Sequence, residues 1–262
     1  MEMPTIVSPD EMKQQARAFY LDALAALDRS QVPYLVGGGY AMTAYTGITR
    51  QTKDLDLFVR AGDSRRALDV LGAAGYRTEV TWSHFLVKAL YKQAFVDILH
   101  NSGNGLSPVD DQWFAHAVEA DVLGRRVLLC PAEEILWTKA FVQDRDRFDG
   151  ADVAHLILAR GEQFDWQRLI RRFQSHERVL LAHLLLYTYI YPSERRNVPG
   201  WVMEQLMGRM AEEPASAERV CMGTFLSQKQ FLFDVNEWGY ADARLQPRGP
   251  LTPAEIAELP AA

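Results

Sequence analysis

The sequence predicts an α/β chain of the α+β kind, with helices flanking a sheet in its first half and helices alone in its second. Three observations carry this. Up to Cys130, short apolar runs rich in β-branched and aromatic residues alternate with amphipathic stretches. A glycine triplet, 37–39, stands between one such run and a helical pattern. After Pro131 the strand patterns cease, and apolar residues recur three or four apart. The expected division is an α/β domain over 1–130, a helical domain over 131–243, and a loose proline- and alanine-rich tail over 244–262.

Each element follows from local pattern. Met12, Ala16, Phe19, Ala23 and Leu27 fall three or four apart, so 9–29 reads as an amphipathic helix. A short strand, 34–36, runs into the glycines. A helix carrying Ala41, Met42, Ala44 and Tyr45 follows. Residues 54–59 form a second strand, and 65–74 a helix stopped by Gly75. The runs 84–90 and 94–99 read as a hairpin turning at Tyr91, Lys92 and Gln93. Residues 101–108 are a loop, and 126–130 a strand ended by Pro131. Helices are then expected over 132–142, 151–159, 166–173, 179–191 and 199–210, with a further one over 214–226. The run 179–191 is too short to span a bilayer and reads as a buried helix.

Composition narrows the function. A net charge of -6 gives no overall field toward nucleic acid, although a local basic groove stays open. The 2 cysteines, Cys130 and Cys221, lack metal-ligand spacing and read as reduced thiols of a cytoplasmic protein. No signal peptide or membrane segment is expected.

Three features carry chemistry. Successive glycines let the backbone approach a ligand, and the first amides of the next helix suit a phosphate. A ligand-free tight turn is the alternative. The triplet is neither a dinucleotide fingerprint nor a P-loop. Asp54 and Asp56 alternate along a strand, so both carboxylates leave one face while Leu55, Leu57 and Val59 leave the other. Paired carboxylates repel unless a cation lies between them, and Mg²⁺, with Mn²⁺ as the alternative, favours oxygen ligands. A solvated strand end is the bland reading. Asp97, set among Phe95, Val96, Ile98 and Leu99, is a carboxylate drawn toward the sheet, needing a metal or an arginine. If its strand lies beside that of Asp54, the three acids converge on one site.

These residues resemble the polymerase-β-like nucleotidyltransferase superfamily. Gly37-Gly38, then Arg50, Thr52, Asp54-Leu55-Asp56 and the later strand Asp97, are most similar to small bacterial nucleotidyltransferases of the abortive-infection toxin type. More distantly they are similar to aminoglycoside and lincosamide nucleotidyltransferases. The resemblance covers roughly 34–99, with a weaker match after Pro131. It implies a mixed sheet flanked by helices, followed by a helical domain. It implies attack of an acceptor hydroxyl on the α-phosphate of a nucleoside triphosphate such as ATP, with loss of pyrophosphate. Asp54, Asp56 and Asp97 would hold the metals, with Asp97 also a base. Gly37 and Gly38 would cradle the phosphates, with Arg50 and Thr52 assisting.

The segment after Pro131 bears on the same ligand. Lys139, Asp149 and Asp152 fit a lysine and basic–acidic cluster of the toxin-like members, but Phe148 stands where that cluster has a lysine. Read as one helix, Arg145, Asp149 and Asp152 share a face, with Lys139 or Arg145 near the triphosphate. A salt-bridged surface helix is the alternative. His84 reads as structural, and Arg168, Arg171, Arg172 and Arg178 as a solvated face that could instead meet RNA. The acceptor (RNA, protein or small molecule) and the oligomeric state are not encoded in any of these features. A catalytically silent nucleotide-binding or interaction module, half of a toxin–antitoxin pair with an antitoxin partner, is the competing function.

Overall fold

The computed structural model describes residues 9–49, 52 and 54–259. Helix α1 is Pro9–Arg29, strand β1 Leu35–Val36, α2 Gly38–Thr46, β2 Asp54–Phe58, α3 Ala61–Ala73, β3 Arg77–Trp82, β4 Leu86–Tyr91 and β5 Ala94–Leu99. Then come α4 Asp111–Ala115, β6 Val118–Val122, β7 Arg125–Leu129, α5 Ala132–Ala140, α6 Gly150–Arg160, α7 Trp166–Phe173, α8 Glu177–Ile190 and α9 Gly200–Glu212. Short pieces close the chain: β8 Val220–Cys221, α10 Leu232–Asn236, β9 Ala241–Asp242 and α11 Pro253–Glu258.

The main sheet has the order β3-β4-β5-β2-β1-β7-β6. It is mixed, because β2 pairs with β5 and β1 with β7 in parallel, while the other neighbours are antiparallel. One face is apolar. Leu55, Leu57 and Val59, Val96 and Ile98, and Val87 and Ala89 are buried there, where α1 and α3 lie against β3, β4 and β5. On the other side α2 packs on β2 and α6. Helices α5 to α9 pack on one another, and buried residues from Phe19 to Ala243 form one continuous core.

The expected helices and strands of the first half are present with shifted ends. Three elements escaped sequence patterning. β3 has five residues of mixed polarity before Trp82, and β6 reads Val-Glu-Ala-Asp-Val. α4 is a single turn capped by the Asp110 side chain. In the second half, 214–226 is not a helix. Val220 and Cys221 pair with Ala241 and Asp242, and only a 3-10 turn, Met222–Phe225, follows. Its leading residues, 214–219, offer Pro, Ser, Glu and Arg with little to bury, so no helical face forms.

The described part of the expected loose tail is also ordered. Arg244 and Leu251 are buried, and Glu258 accepts hydrogen bonds from the Ser83 backbone N–H and hydroxyl. A buried ion pair between Arg244 and Asp242 fixes its start. The basic segment is likewise not a solvated face throughout. Arg168 is buried against Glu133 and Glu134, and Arg172 joins Glu134 to Asp110. Among the described residues, no helix is long and apolar enough to cross a membrane.

Candidate metal and nucleotide site

The parallel pairing of β2 with β5 sets Asp56 beside Asp97. Asp54 precedes Asp56 by two residues, so its side chain leaves the same face. One carboxylate oxygen from each of Asp54, Asp56 and Asp97 lies within 4.8 Å of the others. This register is locked by the opposite face. A slip of one residue would drive the acids into the core and expose Leu55, Leu57, Val96 and Ile98.

The same row continues across the sheet. Glu79 stands opposite Lys88, Lys88 opposite Asp97, and Asp97 beside Asp56. Lys88 Nζ lies 3.0 Å from Asp97 Oδ1 and 4.5 Å above the Phe95 ring. Thr52 donates its hydroxyl to Asp54 Oδ1 at 2.5 Å, which orients that carboxylate.

Among the described residues, positive charge is in short supply here. Burial, then Asp54 and Asp97, push the Asp56 carboxyl up to about 7, with Lys139 and Arg147 pulling it back. Burial also raises Asp97, against the opposing pull of Lys88. Oxygen donors alone, crowded and undercompensated, fit a hard divalent cation.

The glycine turn closes onto the acids. Gly37 caps α2, and its N–H donates to the Asp56 carbonyl at 2.9 Å. Gly38 has φ +50°, and a Cβ there would stand 1.6 Å from Asp56 Oδ2. Only glycine therefore lets the start of α2 abut the carboxylate. Gly39 faces Thr52, where a Cβ would come within 3.2 Å of the Thr52 side chain. Of the two glycines expected to cradle phosphate, Gly37 thus has its N–H committed to β2, through the Asp56 carbonyl. Arg50 lies outside the described residues.

The second cluster assembles differently from its expectation. Lys139 Nζ lies 2.9 Å from Asp149 Oδ2 and 2.8 Å from Asp152 Oδ2. Lys139, Asp149 and Asp152 therefore meet, but Arg145 does not join them. α6 begins at Gly150, and 144–149 is a loop closed by the Gln143–Phe148 bridge and by the Asp149 N–H on the Val142 carbonyl. Residues 144–147 are all charged, with no apolar side chain to hold a helical face. Arg147 reaches Asp149 at 3.3 Å, while Arg145 lines a separate cavity with Lys229 and Gln230. Phe148 covers Gly150, where a Cβ would stand 2.1 Å from its ring, and stacks on His183 at 6.3 Å. His84 is buried with Nε2 3.0 Å from the Gly103 carbonyl, a structural contact.

The partners of Lys88 and Arg147 follow from tertiary structure: the β4–β5 register sets Lys88 on Asp97, and the loop at 144–149 brings Arg147 to Asp149.

A model of the family described as "Uncharacterised nucleotidyltransferase" matches residues 12–190. Among solved structures, the antibiotic-resistance factor ANT(2'')-Ia is 21% identical over 65% of this chain and 97% of that one, with a TM-score of 0.46. The lincosamide antibiotic adenylyltransferase LnuA is 19% identical over 58% of this chain and 98% of that one, with a TM-score of 0.38. An antigenic nucleotidyltransferase-like protein from Paracoccidioides brasiliensis is 17% identical over 73% and 95%, with a TM-score of 0.45. No curated protein matches the sequence. The matched stretch spans more than half of the chain and includes the glycine turn, the three carboxylates and Lys139, so this chain belongs to that nucleotidyltransferase family and is an enzyme of that class.

Proposed function

We propose that this enzyme transfers a nucleoside monophosphate from a nucleoside triphosphate to an acceptor hydroxyl, with Mg²⁺ or Mn²⁺ held by Asp54, Asp56 and Asp97. The observation that carries this reading is the convergence of the three carboxylates within 4.8 Å, on the face against which the glycine turn closes.

The bound cation supplies charge neutralisation of the triphosphate and orientation of the reacting oxygens. The chain's own groups do the rest. Thr52 fixes the Asp54 carboxylate, and Lys88 holds that of Asp97. Asp97 is the group suited to accept the acceptor's proton, since burial favours its protonated form. The first turn of α2, beyond Gly37, offers its amide ends to phosphate oxygens. Positioning and electrostatics account for most of the rate in such transfers.

The acceptor's side is supported by register. Trp82 pairs with Leu86, and Leu86 with Leu99, so Trp82 shares the carboxylate face. Trp82 and Phe85 stack at 5.1 Å and line a cavity of about 240 Å³ with Asn104, Thr138 and Phe141. That volume admits one ring or one side chain, whether of a small molecule, a protein or an RNA terminus. Two buried free cysteines favour a reducing compartment, and we assign the enzyme to the cytoplasm.

The test is label transfer. The protein is incubated with each α-labelled nucleoside triphosphate, Mg²⁺ and a cell extract, beside Asp54→Asn. Label should move to a discrete product with wild type and not with the variant. Transfer that survives Asp54→Asn would remove the metal assignment. Absence of both transfer and metal-dependent nucleotide binding would favour the silent module.

A further inference from the structure

Helix α8 is apolar on nearly every side, yet only one side is covered. Leu180, Leu181, Leu184 and Tyr187 are buried. Leu185, Leu186 and Ile190 are about half exposed, at 50%, 46% and 47%, and Tyr189 is 85% exposed. An all-round apolar helix belongs in an interior, so among the described residues the outer face of α8 lacks its cover.

Ala182, Leu185, Leu186 and Tyr189 fall at i, i+3, i+4 and i+7, a continuous stripe along the helix. α9 runs antiparallel beside it, tied at one end by Arg178–Glu213 and Arg209–Glu177. Met210 lies against the start of α8 with Arg178 and Glu177. Met203 and Met207 precede it at helical spacing, and Met207 and Met210 are 50% and 48% exposed. The exposed parts of these α8 and α9 side chains sum to apolar surface on the order of 600 Å², against about 800 Å² per partner in a standard interface.

We infer that this face is the interface of a twofold dimer of this chain, with α8 packed antiparallel on α8 of a second copy. The stripe complements itself. A twofold axis between Leu185 and Leu186 sets Leu185 opposite Leu186 of the second copy, and Ala182 opposite Tyr189. The smallest residue of the stripe thus receives the largest and most exposed one, which lets the helix axes approach. An isologous contact of this kind closes on itself and leaves no further sticky edge. The inference does not depend on the proposed reaction, since α8 carries none of the residues assigned to it.

The test is sedimentation velocity of the full chain over a concentration series, beside Tyr189→Lys and Leu185→Glu. Tyr189 makes its outward contacts with solvent, so Tyr189→Lys keeps the fold, and far-UV circular dichroism checks both variants. Wild type should sediment at twice the chain mass, and each variant should dimerise at least tenfold more weakly. In a second arm, the double variant Ala182→Cys with Tyr189→Cys should form an intermolecular disulfide on mild oxidation, while either single variant should not. The native cysteines are buried and do not compete. A monomer at every concentration, a dimer indifferent to Tyr189→Lys, or a different protein seated on α8 would overturn the inference.

Discussion

Two clusters of acidic residues lie close enough for Lys139 and Arg147 of one to act on Asp56 of the other, and their charge balance separates them. On the sheet, Asp54, Asp56 and Asp97 crowd together with Lys88 alone in direct contact among the cations described, and burial with mutual repulsion pushes Asp56 up to about 7. At the start of α6, Asp149 and Asp152 both pair with Lys139, and Asp149 also with Arg147, whose charges hold Asp149 below its usual range against burial. On the proposed function, the first cluster takes its balancing cation from outside, whereas the second holds Lys139 within the protein. On that reading the same residue type serves a ligand site in one place and an ion-paired cluster in the other, and the difference lies in partners rather than in sequence spacing.

Removing an acid from the sheet cluster should give the largest effect. Asp56→Asn should lower transfer at least about a thousandfold, because a metal ligand and its charge are lost. The same substitution should stabilise the metal-free protein by about 1 kcal/mol at pH 8, since it removes a repelled charge. Asp152→Asn should instead destabilise, because it strips a partner from Lys139. Activity and denaturant midpoints, measured together, check the pair. Equal signs of the two stability changes would erase the distinction between the clusters.

Gly38→Ala comes next. The added Cβ meets Asp56 Oδ2, and the +50° φ is costly for any other residue, so a loss of about 2 kcal/mol or more is expected. Activity should fall with it, read by urea unfolding and label transfer. Lys139→Met should cost about 3 kcal/mol, as two carboxylates with little exposure lose their cation. A variant that keeps its stability but loses triphosphate affinity would show that Lys139 serves the ligand and not the clasp.

The pH dependence follows from signs. Asp56 is raised in the folded state relative to its ordinary value near 4, so the unfolded chain gives up that proton first. Metal-free stability from this group is fully present below about pH 4 and is lost as pH rises through about 7. A bound cation favours the carboxylate, so metal affinity should rise with pH up to about 7, with proton release. Asp149 runs the other way. Its depressed value gives stability above the ordinary carboxylate range that is lost only in stronger acid. Thermal melts from about pH 2 to 8, with and without Mg²⁺, read both.

The smallest effects concern the arginines and Thr52. Thr52→Val should cost about 1 kcal/mol and weaken transfer modestly by freeing Asp54. Arg147→Ala should lower transfer more than Arg145→Ala, because Arg147 pairs with Asp149 and bears on Asp56 while Arg145 lies elsewhere.

The sheet cluster was legible in the sequence because strand alternation fixes faces. Asp54 and Asp56 had to share one, and the apolar flanks of Asp97 marked a core strand. The pairing of β2 with β5 is a tertiary fact that no local pattern encodes, and so is the β4–β5 register that sets Lys88 on Asp97. The shared helical face of Arg145, Asp149 and Asp152 does not form, because their spacing is helical but 144–147 has no apolar residue to hold a helix there. The ordered carboxyl-terminal segment was hidden by its proline and alanine content. Its hold comes from a buried local ion pair, Arg244 with Asp242, and a long-range contact, Glu258 with Ser83.

The most direct test of the carboxylate assignment is a calorimetric titration of metal-free protein with Mn²⁺ in the presence of a non-hydrolysable nucleoside triphosphate analogue, wild type beside Asp54→Asn. Saturable binding in wild type that is lost in the variant, with no loss of the folded state, is the expected result. Equal binding by both proteins, or none by wild type, would contradict it.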